Sequence, residues 1–567
     1  MKEGFRQSMA WLHNWSGLIV GWVLFFVFLT GTTGYFDDEI TRWMQPERPL
    51  ASIAPPMTPA AGVAKAQAYL ARTAPEAPRW SIDLPGGRGQ TAWTVSWPRP
   101  DRPGSSHRPE RRARGDHGEG RQMRMLFDPV AGSGTPLPSR ADARDTSGGV
   151  GLYRLHYRLH YVSQANAILI VGACTMLMLL AIVSGIITHK KIFKDFFTFR
   201  PAKGQRSWLD MHNVISVCAL PFFLMITYTG LMFFMYAYMP AAMNLTYGLE
   251  RQWDNDGYSN PLNPRANAQF MSGPERGAER GEDRRGRPRG AAILQESGTA
   301  APLADLSSMV TRAETLWGQG TVESLIVENP GKSRARVTIS RFPRGLTADA
   351  GDRMRFDGVT AALIERAPPR GRGTWQVQDS MIALHEGLFA GPVLRWLYFA
   401  SGLLGCAMVG TGLILWTVKR RQKQINAGRS DYGFRLVECL NIAAIIGMPL
   451  GIAAYFWANR LLPAPLETRA AWEMHSLFIA IGMVLFWAAV RPPRKAWTEG
   501  LCLCAAAYAL LPPLNALTTD RHLGITVPAG DWRLAGFDLT VAGIGLALAI
   551  AARRVAARSR SDVRGAR

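Results

Sequence analysis

Seven of the ten histidines stand at the ends of apolar runs: His13, His156, His160, His189, His212, His385 and His475. Imidazole nitrogens ligate transition metals and haem iron, and a histidine at membrane depth is a functional hypothesis by default. Two of the seven share a register. His13 and His212 each precede the glycine of a Thr-Gly pair, Gly31 and Gly230, by 18 residues. In a helix that is about 27 Å, close to the thickness of a bilayer core. His160 and His385 each follow a leucine and precede Gly185 and Gly412 by 25 and 27 residues, a looser match. Facing imidazoles suit axial ligation of a haem, and a haem held by two histidines has no open position, which favours electron transfer. The spacing pairs His13 with His212 on one side of the membrane and His160 with His385 on the other. Two non-covalent b-type haems are expected, since no C-x-x-C-H is present for covalent attachment. His189, His475 and His156 are the reserve ligands. His156 lies four residues before His160 on one helix face, so both cannot simply ligate one haem. The competing reading is that such histidines only cap helices at the interface. His107, His117 and His522 have no counterpart in the pattern.

These side chains need long apolar elements to carry them. Hydropathy predicts helices over 12–35, 164–188, 211–238, 393–418, 434–457, 474–490, 497–516 and 535–552. The fold class is thus a polytopic α-helical membrane protein with about eight spans. Lys and Arg set its orientation. Lys190, Lys191, Lys194, Arg200, Lys203 and Arg206 follow the second helix, and Lys419, Arg420, Arg421, Lys423, Arg429 and Arg435 follow the fourth. Arg491, Arg494 and Lys495 follow the sixth, and the tail ends in Arg553, Arg554, Arg558, Arg560, Arg564 and Arg567. The positive-inside rule then puts both termini in the cytoplasm. That topology accounts for much of the formal charge of +22, so nucleic acid is not needed as a partner and lipid is. The first helix is no cleavable signal, because its apolar run is long and no A-x-A site follows.

Two soluble segments, 36–163 and 239–392, share one plan. Each opens with an amphipathic helix, around 60–72 and 303–317, followed by alternating strand patterns. The first has TAWTVSW and MRMLFDPVAG; the second has VESLIVEN, RARVTISR and RMRFDGVTAALIE. Phe127-Asp128-Pro129-Val130 and Phe356-Asp357-Gly358-Val359 read as the same strand and turn in two copies. Arg99–Arg124 and Arg276–Arg289 are Arg/Gly-rich insertions that composition marks as unstructured. The unit of helix, small α+β domain and helix is therefore duplicated. The domain boundaries follow: 1–35 first helix, 36–163 first soluble domain, 164–238 second and third helices, 239–392 second soluble domain, 393–418 fourth helix, 419–567 four further helices and the basic tail.

Other chemistries find little support. All six cysteines (Cys174, Cys218, Cys406, Cys439, Cys502, Cys504) lie in apolar helices, so no disulfide framework is expected. No compact zinc spacing, phosphate-binding glycine loop or nucleophile triad is visible. A transporter would need helices broken near mid-membrane, for which Pro221 and Pro449 are the only candidates.

The segments WLHNWSGLIVG (11–21), LHYVSQANAILIVG (159–172), SGIITHKKIFKDFFTFRP (184–201), LDMHNVISVCALPF (209–222), TYTGLM (227–232) and LHEGLFAGPVLRWLYFASGLLG (384–405) resemble the PepSY-associated transmembrane family. That family includes ferric-siderophore reductases of the ferrioxamine type. The resemblance covers about 5–425. It implies periplasmic PepSY-like domains, haem held by transmembrane histidines, and a reductase that frees iron as Fe(II) from a ferric-siderophore in the periplasm. The electron donor would be a cytoplasmic protein or a quinone, and Arg395 is placed to balance a haem propionate. The Arg/Gly-rich insertions and the last four helices depart from the family's four-helix core. The rival is a non-enzymatic PepSY protein that senses or restrains proteases, with the helices as anchors; an anchor needs no repeated histidines.

Overall fold

The computed structural model describes residues 3–47, 57–86, 92–99, 122–137, 143–189, 199–200, 204–239, 298–342, 353–366, 374–387, 389–426 and 431–565. Both Arg/Gly-rich tracts, apart from the strand ending the first, and His107 and His117 lie outside them. The chain divides into a helical unit and a sheet unit.

Among the described residues, seven helical stretches of the first unit are long and apolar enough to cross a membrane, and a bent pair makes up to eight. The elements that carry the site are α1 (Glu3–Thr33), α2 (Asp37–Met44), α4 (Gly148–Arg158), α5 (Gln164–Thr188), α6 (Gln205–Cys218), α7 (Leu220–Phe233), α9 (Thr374–Glu386) and α10 (Pro392–Asn426). The expected single helix over 211–238 is broken: α6 and α7 meet at 67°. Pro221 sits in the first turn of α7, where it offers no N–H to the preceding turn and cannot continue a straight helix. A second reshaping occurs in the fifth apolar run. There a π-helical turn, Ala443–Gly447, separates α11 (Tyr432–Ile442) from α12 (Met448–Leu461) just before Pro449. The remaining helices are α13 (Arg469–Val490), α14 (Pro493–Ala509), α15 (Leu511–Thr518) and α16 (Trp532–Gly565).

Buried polar side chains lock these last helices to α2 and α4. Arg460 stacks on Trp43 with its guanidinium 3.7 Å from the ring centre. It donates to Trp43 O (2.6 Å), Asn459 Oδ1 (2.6 Å) and Asn515 Oδ1 (3.0 Å). Asp538 accepts from Trp43 Nε1 (2.9 Å) and Asn515 Nδ2 (3.0 Å). Glu473 is fully buried against Arg469 and accepts from Asn459 Nδ2 (2.8 Å) and Thr146 Oγ1 (2.5 Å). Arg469 and Glu473 pair with each other, and Arg460 and Asp538 are hydrogen-bonded to neutral groups, which makes their burial tolerable.

The sheet unit comprises Glu47–Ala143 and Gln269–Ala383, narrower than the soluble segments expected from sequence, because α2 and α4 belong to the helical unit. Its eight strands are antiparallel in the order β4-β3-β2-β1-β5-β6-β7-β8. The first four are Arg79–Asp83, Trp93–Pro98, Gln122–Asp128 and Ser133–Pro136; the rest are Val322–Glu328, Arg336–Arg341, Arg353–Asp357 and Leu363–Arg366. The two copies of the α+β plan thus share one sheet, joined where β1 pairs β5 over five residues, Arg79↔Glu328 to Asp83↔Ser324. Helices α3 (Pro59–Thr73) and α8 (Leu306–Trp317) cover one core built from Val63, Leu70, Ile82, Val95, Leu325 and Ile339. The duplicated turn is visible atom for atom. Asp128 Oδ1 accepts from the amides of Val130 and Ala131, and Asp357 Oδ1 from those of Val359 and Thr360. These amides, with Arg336 at 2.8 Å, hold the Asp357 carboxyl below the usual carboxylate range.

Candidate cofactor site

Four histidines in the helical unit dock by one repeated geometry. His13 Nδ1 lies 2.8 Å from Ala181 O, and the ring covers Gly185. His212 Nδ1 lies 3.0 Å from Met408 O and covers Gly412. His156 Nδ1 lies 2.7 Å from Val27 O and covers Gly31. His385 Nδ1 lies 3.1 Å from Ile226 O and covers Gly230. In every case the carbonyl belongs to the residue four before the glycine, on a different helix from the histidine. A serine or threonine precedes each glycine: Thr30, Ser184, Thr229 and Thr411. Their hydroxyls bond back into their own helix, at Phe26, Ala181, Met225 and Ala407 respectively. Thr229 and Thr411 also touch His385 and His212, at 3.1 and 3.2 Å.

The glycines are required by space. A β-carbon at Gly31 would sit 2.5 Å from His156 Nδ1, and one at Gly230 2.9 Å from His385 Cε1. At Gly185 and Gly412 the corresponding distances, to His13 and His212, are 3.1 and 3.3 Å. An Nδ1–H donated to a backbone carbonyl fixes the tautomer and leaves Nε2 as the free lone pair, the arrangement that orients a ligating histidine.

The four rings form two pairs. His13 and His212 have centroids 6.3 Å apart at 66°, and His156 and His385 6.0 Å apart at 45°. An iron midway between two imidazole nitrogens, each about 2 Å away, puts the ring centres about 6 Å apart. Haem fits this donor set on three counts: ring separation, free Nε2 atoms, and glycines where side chains would crowd the imidazoles. Among the described residues no group of three or more His, Cys, Asp or Glu could hold a bare metal ion.

The pairing expected for the second site is therefore changed. His385 faces His156, and His160 lies elsewhere. Leu159 and His160 have φ of +47° and +26°, so α4 ends at Arg158 and the chain turns before His160 can share the face of His156. His160 instead meets His475 of α13, with centroids 5.8 Å apart. Partial burial, then the nearby His475, lowers the His160 pKa. His189, at the end of α5, takes Asn213 Nδ2 at 2.8 Å. His522 caps the turn Leu523–Thr526 by accepting from the Gly524 amide. Arg395 pairs with Glu39 at 2.9 Å and donates to Tyr35 O, so protein groups already occupy it.

Positioning residues support the first pair. Asp210, two residues before His212, takes a bidentate bond from Arg200, which also donates its amide to the same carboxylate. Asn441 of α11 joins α1 to α10 by accepting from Trp22 Nε1 (2.9 Å) and donating to Leu413 O (3.0 Å).

A helical membrane unit with two facing imidazole pairs and a duplicated α+β sheet defines the class of this protein. Residues 10–419 match the PepSY-associated TM region, and the chain belongs to that family. It is also similar to the uncharacterised protein PA4219 of Pseudomonas aeruginosa, 26% identical over 355 residues, covering 59% of this chain and 80% of the relative. Helices α11 to α16 lie beyond the family match.

Proposed function

We propose that the protein is a haem-containing inner-membrane reductase that takes electrons from a cytoplasmic or quinone donor and reduces a ferric-siderophore in the periplasm. The observation that carries this reading is the histidine-on-glycine dock, repeated four times and grouped into two pairs with one iron's spacing. His13 and His212 would hold one b-type haem, and His156 and His385 the other. Haem held there would supply one-electron exchange. The chain's part is to hold each imidazole in one tautomer through its Nδ1 bond and, with the four glycines, to give each ring room to dock. By the positive-inside rule the His13 end of α1 would lie in the cytoplasm and the sheet unit in the periplasm, which supports electron flow in that direction.

The substrate reading follows from the family resemblance and from coordination chemistry. Hard oxygen donors hold Fe(III) far more tightly than Fe(II), so one electron added to the ferric complex yields Fe(II) and intact chelator. No bond of the chelator breaks.

The test mixes dithionite-reduced protein, freed of excess reductant, anaerobically with ferric siderophores. The expected result is loss of the reduced-haem absorbance with one Fe(II) captured by a ferrous chelator per electron lost. Protein that stays reduced with every ferric chelate would refute the reductase reading. Purified protein with no Soret band after growth with haem would refute the cofactor.

A further inference from the structure

The His160–His475 pair is left over from the haem reading, and it shares the ring spacing of the other two pairs but not their docking. Neither ring covers a glycine. No hydrogen bond from either ring to a backbone carbonyl is present among the described residues. His160 is instead stacked on Phe478 (5.3 Å, 12°) and meets Tyr161 edge-on at 4.6 Å, so aromatic rings crowd this imidazole. Yet the centroids, 5.8 Å apart at 69°, keep the spacing that one ion between two imidazoles requires. Tyr161 Oη lies 2.8 Å from His475 Nδ1. Donation from Nδ1–H to that oxygen would fix the ring and leave His475 Nε2 as the ligating atom. The site is open: Tyr161 is 64% exposed and Trp472, packed on His475, is 50% exposed.

We propose that His160 and His475 form a labile site for a divalent first-row transition-metal ion, with Tyr161 as the positioning residue and water completing the shell. Two neutral imidazoles suit Fe(II), Co(II), Ni(II) or Zn(II) and compete poorly for Fe(III), which prefers oxygen. Two protein ligands alone make a weak site, as a place of transit needs. His160 stands four residues beyond His156, so the ion is held close in sequence to the second imidazole pair. Fe(II) freed from its chelator is the ion this position would take, an identity that rests on the reductase reading. The metal site itself does not. His475 lies outside residues 10–419, so the site exists only because the extra helices are present.

The experiment uses full-length protein in detergent, dialysed to equilibrium against Co(II), and separately against Fe(II) without oxygen. Bound metal and haem are counted in the same samples. The wild type is expected to hold one labile metal ion per chain beyond its haem iron, with Fe(II) bound more weakly than Co(II). His475→Gln and His160→Gln should weaken it by about tenfold or more, and Tyr161→Phe by about tenfold, with haem content unchanged. Equal Co(II) binding by wild type and His475→Gln would overturn the proposal. So would loss of a haem from His475→Gln, because the pair would then be a haem site. Co(II) binding that survives in a protein without reductase activity would leave the site standing and remove only the Fe(II) assignment.

Discussion

Four glycines face four imidazoles at four clearances, and alanine at each should be felt in that order. A methyl at Gly31 would meet His156 Nδ1 at 2.5 Å, far inside contact distance, so the ring must move and its 2.7 Å bond to Val27 O is lost. Overpacking of this kind costs about 1–3 kcal/mol, and the lost hydrogen bond about 1 kcal/mol more. At 1.4 kcal/mol per tenfold, haem retention at that pair should weaken by roughly 30- to 700-fold. At Gly412 the contact is 3.3 Å, and a shift of a few tenths of an ångström in His212 absorbs it. The predicted ranking of damage is Gly31→Ala, then Gly230→Ala, Gly185→Ala and Gly412→Ala. The assay is haem per chain by pyridine haemochromogen, with the low-spin electron paramagnetic resonance signals read separately for the two centres. Loss from Gly31→Ala should be confined to one centre. If Gly412→Ala is as harmful as Gly31→Ala, or Gly31→Ala keeps both signals unchanged, clearance is not what these glycines provide.

Replacing His156 by alanine should remove one haem and replacing His160 none; the reverse outcome would return axial ligation to His160. Arg460→Ala strips partners from Trp43 O, Asn459 and Asn515 and leaves Asp538 without its nearby cation, so it should cost roughly 3–5 kcal/mol. Thermal unfolding in detergent, with proteolysis between the family core and α11 as a second probe, would check it. Asp357 has its carboxyl held low in the fold, so its contribution is full above the unfolded value of about 3.9 and fades as pH falls through the lower folded value. Asp357→Ala should therefore speed hydrogen exchange at Val359 and Thr360 at neutral pH, by a free energy of about 1 kcal/mol, and less in acid. A pH-independent difference would show that the carboxylate is not the cause.

The membrane helices were legible because an apolar run long enough to cross a bilayer core seldom arises in a chain that stays in water. His13 and His212 were legible because their glycine spacing is identical. His156 was not separable from His160 by the same means. Counting to Gly185 gives 29 residues from His156 and 25 from His160, against 27 from His385 to Gly412, so both miss by two. What decides it is the left-handed backbone at Leu159 and His160, which apolar periodicity cannot register. A signal was present in the Ser/Thr-Gly pairs themselves: Ser184-Gly185 and Thr411-Gly412 complete the set begun by Thr30-Gly31 and Thr229-Gly230. Most of the duplicated strands were readable from alternation and from the two FD turns, but β1, Arg79–Asp83, was missed. The pairing of β1 with β5 was not, because it joins residues about 240 positions apart and short-range patterns carry no such information. The buried Arg460, Glu473 and Asp538 were invisible for a similar reason: their partners come from α2, from the turn before α4, and from other late helices.

Helix α1 bears His13 for one pair and Gly31 for the other, which makes it a ruler for the whole molecule. The two centres are set apart by a count of residues, not by a network that could adjust. One residue inserted between them would lengthen the interval by only about 1.5 Å but would swing Gly31 about 100° away from His156. A gain or loss of about seven residues, two full turns, would restore the facing, and it would change the separation of the two histidine pairs by about 10 Å.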